Sequence, residues 1–496
     1  MAGGFFDVRN VQPSNMSLTN PSVSSTGKHW WSLLSPYQRL AFAVATLAWL
    51  FDCLDQQLFN LARSPAMDSL LTAAQLEEKT YFMGLSTSIF VFGWATGGLI
   101  FGSLGDRYGR AKMLSVTVLL YSIATGLSAL SKDFNHFAIY RFITGLGVGG
   151  VFGLAVALVA DTVPGQIRPR ALGALQSFSA VGNVTAGLIG LTIAMSEFGK
   201  SEGYWKWLFL IGALPAFLVA IIQFRLKEPE AWVQARDRAI AQGKKAGSYR
   251  DLFAHTTWRR HALLGMVLSC AGVIGLWGIG VFSNDLVGDI ITYNFTQKGA
   301  SPVAITKGKQ IWMSINLLCF NVGAFAGMLV FIRVTEALGR KRAFAISFVG
   351  SLFVTVFVFQ MLGKINGRWD ILWMIPLMGF FHLTVFAGFS IYLPELFPTR
   401  LRATGVSFCY NVGRYLAAFG PLTLGALAKG LAEKSQQEAL AGVAPGTEES
   451  VIAALRSAAK IDAFRDAASW MCLIFLLGVI VLPFLPETKG QPLPED

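Results

Sequence analysis

Long apolar runs alternate with short polar breaks along almost the whole chain. A helix that crosses a bilayer needs ~20 predominantly apolar residues. Twelve runs qualify: 39–61, 80–102, 112–131, 136–160, 171–194, 206–225, 261–283, 311–333, 342–362, 371–393, 404–427 and 467–485. The pattern predicts an all-α integral membrane protein with twelve transmembrane helices, six on each side of a hydrophilic stretch. It divides the chain into a polar tail (1–35), an N-terminal six-helix bundle (36–225), a charged, helical linker (226–260), a C-terminal six-helix bundle (261–485) and a short tail (486–496). A polar, Ala-rich insertion at 429–466 precedes the last run and reads as an extracytoplasmic, partly helical segment.

Composition agrees with that class. Hydrophobic residues make up 53% and charged residues 14%, against about 25% charged in soluble domains. The net charge of +12 does not point to nucleic acid, because the basic residues fall between apolar runs. They crowd into "GDRYGRAK", "PGQIRPRA", "EALGRKR" and "PTRLRA". All four loops lie on one side, which the positive-inside rule makes cytoplasmic, with both termini there too. The expected location is the plasma membrane, or the inner membrane of a Gram-negative cell. The N-terminal segment has no apolar core with a cleavage site and does not read as a signal peptide; Trp30 and Trp31 suit an interfacial anchor. Cys53, Cys270, Cys319, Cys409 and Cys472 all lie in apolar runs and form neither a disulfide framework nor a metal-ligand spacing. No nucleophile–base set or phosphate loop stands out, so neither an enzyme nor a cofactor or metal is expected.

The two halves repeat each other. Asp106, Gly109, Arg110 and Lys112 after the second run match Glu336, Gly339, Arg340 and Arg342 after the eighth. Asp161, Pro164 and Arg168 after the fourth match Glu395, Pro398 and Arg402 after the tenth, and Pro229-Glu230 is read as answering Pro486-Glu487. Parallel repeats of this kind imply two bundles related by an axis along the membrane normal, with a substrate site between them near mid-membrane.

These motifs resemble the major facilitator superfamily across the twelve runs. Its loop signature, G-x-L-x-D-R-x-G-R, is present as Gly102, Leu104, Asp106, Arg107, Gly109 and Arg110, and an R-x-x-x-G-x-G-x-G pattern as Arg141, Gly145, Gly147 and Gly149. The resemblance implies two pseudo-symmetric six-helix bundles that expose the central site alternately to each side. It also implies a charged latch, and we place Gly102, Asp106, Arg107, Gly109, Arg110, Asp161, Arg168, Glu336, Gly339, Arg340, Glu395 and Arg402 in it. The alternative for these basic residues is topogenesis alone. "PELFPTRLRATG", "FLPETKG" and the acidic first run resemble the metabolite symporters for organic acids, aromatic acids, sialic acid and sugars. The fifth run, "FSAVGNVTAGLIGL", lacks the Gly-Pro pattern usual in proton-driven drug antiporters.

Charged residues inside apolar runs carry the functional reading, because they are expensive in hydrocarbon. "WLFDCLDQQLFN" holds Asp52 and Asp55 three residues apart, on neighbouring parts of one helical face. Arg141 of the fourth run lies at a depth similar to Asp55. In proton-coupled sugar porters the matching acid couples to the proton beside the matching arginine. We therefore read Asp55 as the proton-coupling acid, Arg141 as its partner and Asp52 as a second acid that shares the proton or meets substrate; a static packing pair is the alternative. Arg414, in the eleventh run, has no acid of its own half to answer it, since Asp285 and Asp289 lie near the outer end of the seventh. It reads as a carboxylate site, or alternatively as a gating partner of Asp52. Asn411, Tyr410, Gln176, Trp277 and His382 are further candidates to bind substrate, with Asn183 and Asn316 beside them. The expected protein is a monomeric, proton-coupled symporter of a small organic anion; a neutral-sugar or polyol porter and a non-transporting sensor are the alternatives.

Overall fold

A computed structural model describes residues 30–196, 203–278, 283–418, 420–441 and 448–495, and all regular structure among them is helical. The N-terminal half contains α1 (Pro36–Leu70), α2 (Lys79–Tyr108), α3 (Arg110–Ser128), α4 (Phe134–Thr162), α5 (Arg168–Met195) and α6, which runs Tyr204–Gly212 and resumes at Ala216–Arg225. The C-terminal half contains α7 (Thr256–Gly278, then Ser283–Gln297), α8 (Pro302–Leu338), α9 (Arg340–Met361), α10 (Ile371–Tyr392), α11 (Arg402–Ala417, then Gly420–Leu440) and α12 (Glu449–Met471, then Ile474–Val481). Nine of these meet the length and composition of a membrane span among the described residues. The exceptions are α1, α6 and α11. α1 contains the two aspartates, α6 is broken ahead of Pro215, and α11 carries Arg414 and a polar end.

Helix starts follow from local chemistry. Ser35 and Gln38 form a reciprocal capping box with Pro36 at the first helical position of α1, which satisfies backbone donors that have no intrahelical partner. Asp133 caps α4 through the His136 N–H. The expected insertion at 429–466 is helical over its described residues. Its described parts continue α11 and α12 as a packed helical pair, because "LAKGLAEKSQQEAL" is rich in strong helix formers.

Within each half the closest contact is between equivalent helices, α2 on α4 and α8 on α10. Glycines make it possible. A Cβ on Gly145 or Gly149 would run into the carbonyl of Phe90 or Trp94, and one on Gly323 into the carbonyl of Pro376. The halves meet through α2 against α11 and α5 against α8. The two seams are joined by Thr96 with Tyr415 (2.8 Å) and by Asn183 Nδ2 donating to Asn321 Oδ1 (2.8 Å).

The internal repeat is visible in individual bonds. Arg168 Nε donates to the Ala160 carbonyl (2.8 Å), and Arg402 Nε donates to the Pro394 carbonyl (3.1 Å). The expected Pro229-Glu230 equivalence is corrected. Glu228, not Glu230, plays the part of Glu487. Glu228 accepts from the N–H groups of Arg110, Ala111 and Lys112 at the start of α3, and Glu487 accepts from those of Arg340 and Lys341 at the start of α9. Each carboxylate meets the positive end of a helix, entered through a positive-φ glycine, Gly109 (φ 117) or Gly339 (φ 89).

Candidate functional site

Arg414 lies on α11 with only 2% of its surface exposed. Its Nη1 donates to the Tyr410 carbonyl (2.6 Å) and to Asn411 Oδ1 (3.1 Å). Asn411 is fixed in turn by donating to the Ser407 carbonyl (2.9 Å). The guanidinium lies between two aromatic rings, 4.0 Å from the Trp94 centroid and 4.2 Å from that of Tyr410. Tyr410 stacks on Phe152 of α4 at 3.8 Å, and Phe152 packs on Trp49 of α1. Four helices from both halves thus build one aromatic wall around a cation. Its Nε makes no hydrogen bond.

The two acids of α1 have different surroundings. Asp52 is fully buried; one carboxylate oxygen accepts from Gln56 Nε2 (3.3 Å) and the other has no partner. Its unpartnered oxygen makes no ion pair with Arg414 of the other half. Asp55 is enclosed by its own half. Gly212 of α6 lies over its carboxylate, Thr125 of α3 stands beside it and Arg141 of α4 is within electrostatic range.

The expected Asp55–Arg141 ion pair is not formed. Arg141 is wholly buried, so it does not snorkel. Its guanidinium donates to Ser128 Oγ (2.7 Å), Thr144 Oγ1 (3.0 Å) and Thr125 Oγ1 (3.3 Å). It also faces the rings of Phe209 (4.6 Å), Phe59 (5.4 Å) and Phe137 (5.9 Å). Hydroxyls and aromatic faces solvate the cation, which leaves Asp55 as a charge nearby and not a contact.

The remaining candidates are dispersed. Gln176 is buried on α5 and reaches Ser179. His382 bonds Thr355 Oγ1 (2.6 Å) and packs against Phe320 and Phe475, a set separate from that of Arg414. Asn316 donates to Asn284. The side chain of Trp277 lies outside the described residues.

At the face where the linker lies, charged side chains tie the halves together. Asp106 at the end of α2 accepts from the backbone N–H of Ala403 (3.1 Å) and Thr404 (2.8 Å) and from the Thr404 hydroxyl (2.8 Å), which places a carboxylate on the N-terminus of α11. It also accepts from Arg110 (3.2 Å). Arg110 donates to the Thr399 carbonyl (2.7 Å), and Asp161 pairs with both Arg110 and Arg402. The mirrored contacts differ. Arg340 holds Glu395 within the C-terminal half. Glu336 reaches across to Arg170 (2.9 Å) at an exposed site and not to Arg168. A Cβ on Gly102 would strike Ser407, so this glycine lets α2 and α11 touch. Arg107 is exposed. The linker joins in as well: Trp232 donates to the Asp106 carbonyl, Gly247 links Ser103 to Arg400, and Asp251 pairs with Arg400. These contacts hold the two halves and the linker together at this face.

Among the described residues, two repeated helical halves with nine apolar spans, tied together at one end by this network, fit a membrane transporter. Residues 45–421 match the Major Facilitator Superfamily, and the chain belongs to that family; it is a transporter and not an enzyme. It is 27% identical to the cis,cis-muconate transport protein of Acinetobacter baylyi, over 83% of this chain and 91% of that one. It is 28% identical to a putative niacin/nicotinamide transporter of Bacillus subtilis, over 79% and 89% respectively. Among solved structures, the proton:xylose symporter XylE superposes with a TM-score of 0.63 at 18% identity, over 92% of this chain and 98% of that one, a likeness of fold.

Proposed function

We propose that this protein is a proton-coupled symporter of a small organic anion and works by alternating access. Linker and termini are cytoplasmic, the membrane is the plasma membrane or a Gram-negative inner membrane, and the working unit is a monomer. The observation that carries this reading is Arg414: a fully buried, permanently charged guanidinium at the seam of the halves, with a free Nε and no carboxylate closed on it. A buried cation with an unused donor favours an anion beside it in a dry site, and the planar fork suits a carboxylate. Tyr410 and Asn411 orient it, and the Trp94, Tyr410 and Phe152 rings offer flat apolar surface to the rest of a small ligand. The muconate and niacin carriers among the relatives support a carboxylate substrate. The coupling proton resides on the acids of α1, and the Asp106 network is the latch that opens when the site turns inward. In the test, purified protein is screened by thermal stabilisation against cis,cis-muconate, nicotinate, benzoate and xylose. Carboxylates stabilise the wild type and not Arg414→Gln. Stabilisation by xylose alone would favour a neutral-sugar porter instead.

A further inference from the structure

The first segment of α6 has two different flanks. Trp205, Phe209 and Gly212 are buried on one of them, and the segment packs on α1 and α3. The Phe209 ring lies 4.6 Å from the Arg141 guanidinium, and a Cβ on Gly212 would come within 2.6 Å of Asp55 Oδ1. The segment, Tyr204–Gly212, is only nine residues long, and the helix resumes at Ala216. A helix this short is held by what packs against it and not by its own hydrogen bonds.

The other flank borders a groove. Trp207, Leu208 and Ile211 form one wall and Leu188, Ile189 and Ile193 of α5 the other, enclosing about 320 Å³. Ligand clefts span about 300–1,000 Å³, so the space suits one slender molecule. Thr185 and Thr192 also line it. Their hydroxyls, however, donate to the Val181 (2.9 Å) and Leu188 (2.8 Å) carbonyls of their own helix. The groove therefore presents apolar surface. It opens outward, since Leu188 and Trp207 are 51% and 59% exposed. Around a chain that spans a bilayer, outward at this depth means hydrocarbon.

Depth and charge name the occupant. Thr185 lies ten residues before Met195, the end of α5 away from the linker, a rise of about 15 Å at 1.5 Å per residue. Half of the ~30 Å hydrocarbon core has the same length. The groove thus follows the depth of one leaflet, the one opposite the linker. Lys206 precedes Trp207 in the first turn of α6, is exposed, and holds its ammonium 5.6 Å from the Trp205 ring centre. Tryptophans mark the membrane–water interface, and a lysine there attracts an anionic headgroup.

We propose that an acidic phospholipid of the leaflet opposite the linker lays an acyl chain in the α5–α6 groove and sets its phosphate on Lys206. The bound lipid covers the outer flank of the first α6 segment and holds Phe209 and Gly212 against Arg141 and Asp55. The site is separate from Arg414 and does not depend on which substrate is carried.

In the test, delipidated protein is titrated with phosphatidylglycerol or phosphatidylcholine. Native mass spectrometry reads the retained lipid, and hydrogen exchange reads residues 204–212. The wild type retains phosphatidylglycerol about fivefold more tightly than phosphatidylcholine, the effect of one lysine near an anionic surface. Exchange in the segment slows as the lipid binds. Lys206→Gln retains both lipids equally. Leu188→Trp fills the groove, loses the retained lipid and keeps fast exchange; Ile193→Trp repeats this at a second position. Leu329→Trp, the same change as Leu188→Trp at an exposed site on α8, behaves as the wild type. The proposal is overturned if both groove-filling variants retain the lipid, if Leu329→Trp loses it equally, or if the wild type does not distinguish the two headgroups. A dimer of the wild type that Leu188→Trp dissolves would also overturn it, by giving the groove to a second copy of the chain.

Discussion

The Arg414 guanidinium lies 4.0 Å from the centre of the Trp94 ring, so a residue of α2 in the N-terminal half holds flat the cation of α11 in the C-terminal half. A desolvated contact of this kind contributes up to about 2 kcal/mol. Trp94→Ala should therefore weaken carboxylate binding by roughly 30-fold, and Trp94→Phe by less. Titration of the purified variants with nicotinate measures this. Equal affinity in Trp94→Ala would mean that the ring does not orient the anion site.

Asp106 is predicted to govern the population of the closed state. Asp106→Asn leaves a neutral amide against the Ala403 and Thr404 N–H groups, where the carboxylate now accepts charge-assisted bonds of about 1.5–3 kcal/mol each. Single cysteines on the linker face and on the opposite face report the two open states. The variant should shift the labelling ratio toward the linker face, and an unchanged ratio would remove Asp106 from the latch.

Glu487 supplies a pH signature. Its burial alone would raise the carboxyl pKa, but N–H donation from Arg340, Lys341 and Lys489 outweighs this and holds it below the ordinary 4.5. A carboxyl lowered on folding stabilises the protein above its unfolded pKa, and that contribution is lost as pH falls through the folded one. Glu487→Gln should lower the melting temperature at neutral pH, and the difference from the wild type should shrink as pH drops below 4.5. A difference that grows in acid would contradict the assigned cap.

Gly149 is predicted to be intolerant of any side chain, because a Cβ would enter the carbonyl of Trp94. Gly149→Val should cost about 1–3 kcal/mol through overpacking. Thermal unfolding in detergent reads it directly, and an unchanged melting temperature would mean that α2 and α4 can separate without penalty.

The helices were legible because hydrophobic run length is dictated by the bilayer, and the halves because the loop motifs recur. Asp52, Asp55, Arg141 and Arg414 stood out for a similar reason: a charge within an apolar run has few explanations. Their neighbours did not. Trp94 and Phe152 are aromatic residues in apolar helices, and nothing in the sequence separates a ring beside a cation from one in the core. The hydroxyls that replace Asp55 around Arg141 belong to Thr125, Ser128 and Thr144, residues common in membrane helices. Matching depths for Asp55 and Arg141 therefore suggested an ion pair that the intervening hydroxyls make unnecessary. Glu228 was passed over for Glu230 because the Pro-Glu pairs align by composition, while the bonds to the α3 and α9 starts align by position. The lengths of α7, α8 and α11 exceeded their apolar runs because helix propensity continues past the bilayer boundary, where hydropathy has no further say.

The most direct test of proton-coupled anion transport is uptake of labelled cis,cis-muconate and nicotinate by proteoliposomes holding the wild-type protein, with an acid-outside pH gradient. The account predicts accumulation of a carboxylate above its external concentration, collapsed by a protonophore and absent in Arg414→Gln. Uptake that ignores both the gradient and the loss of Arg414 would contradict it.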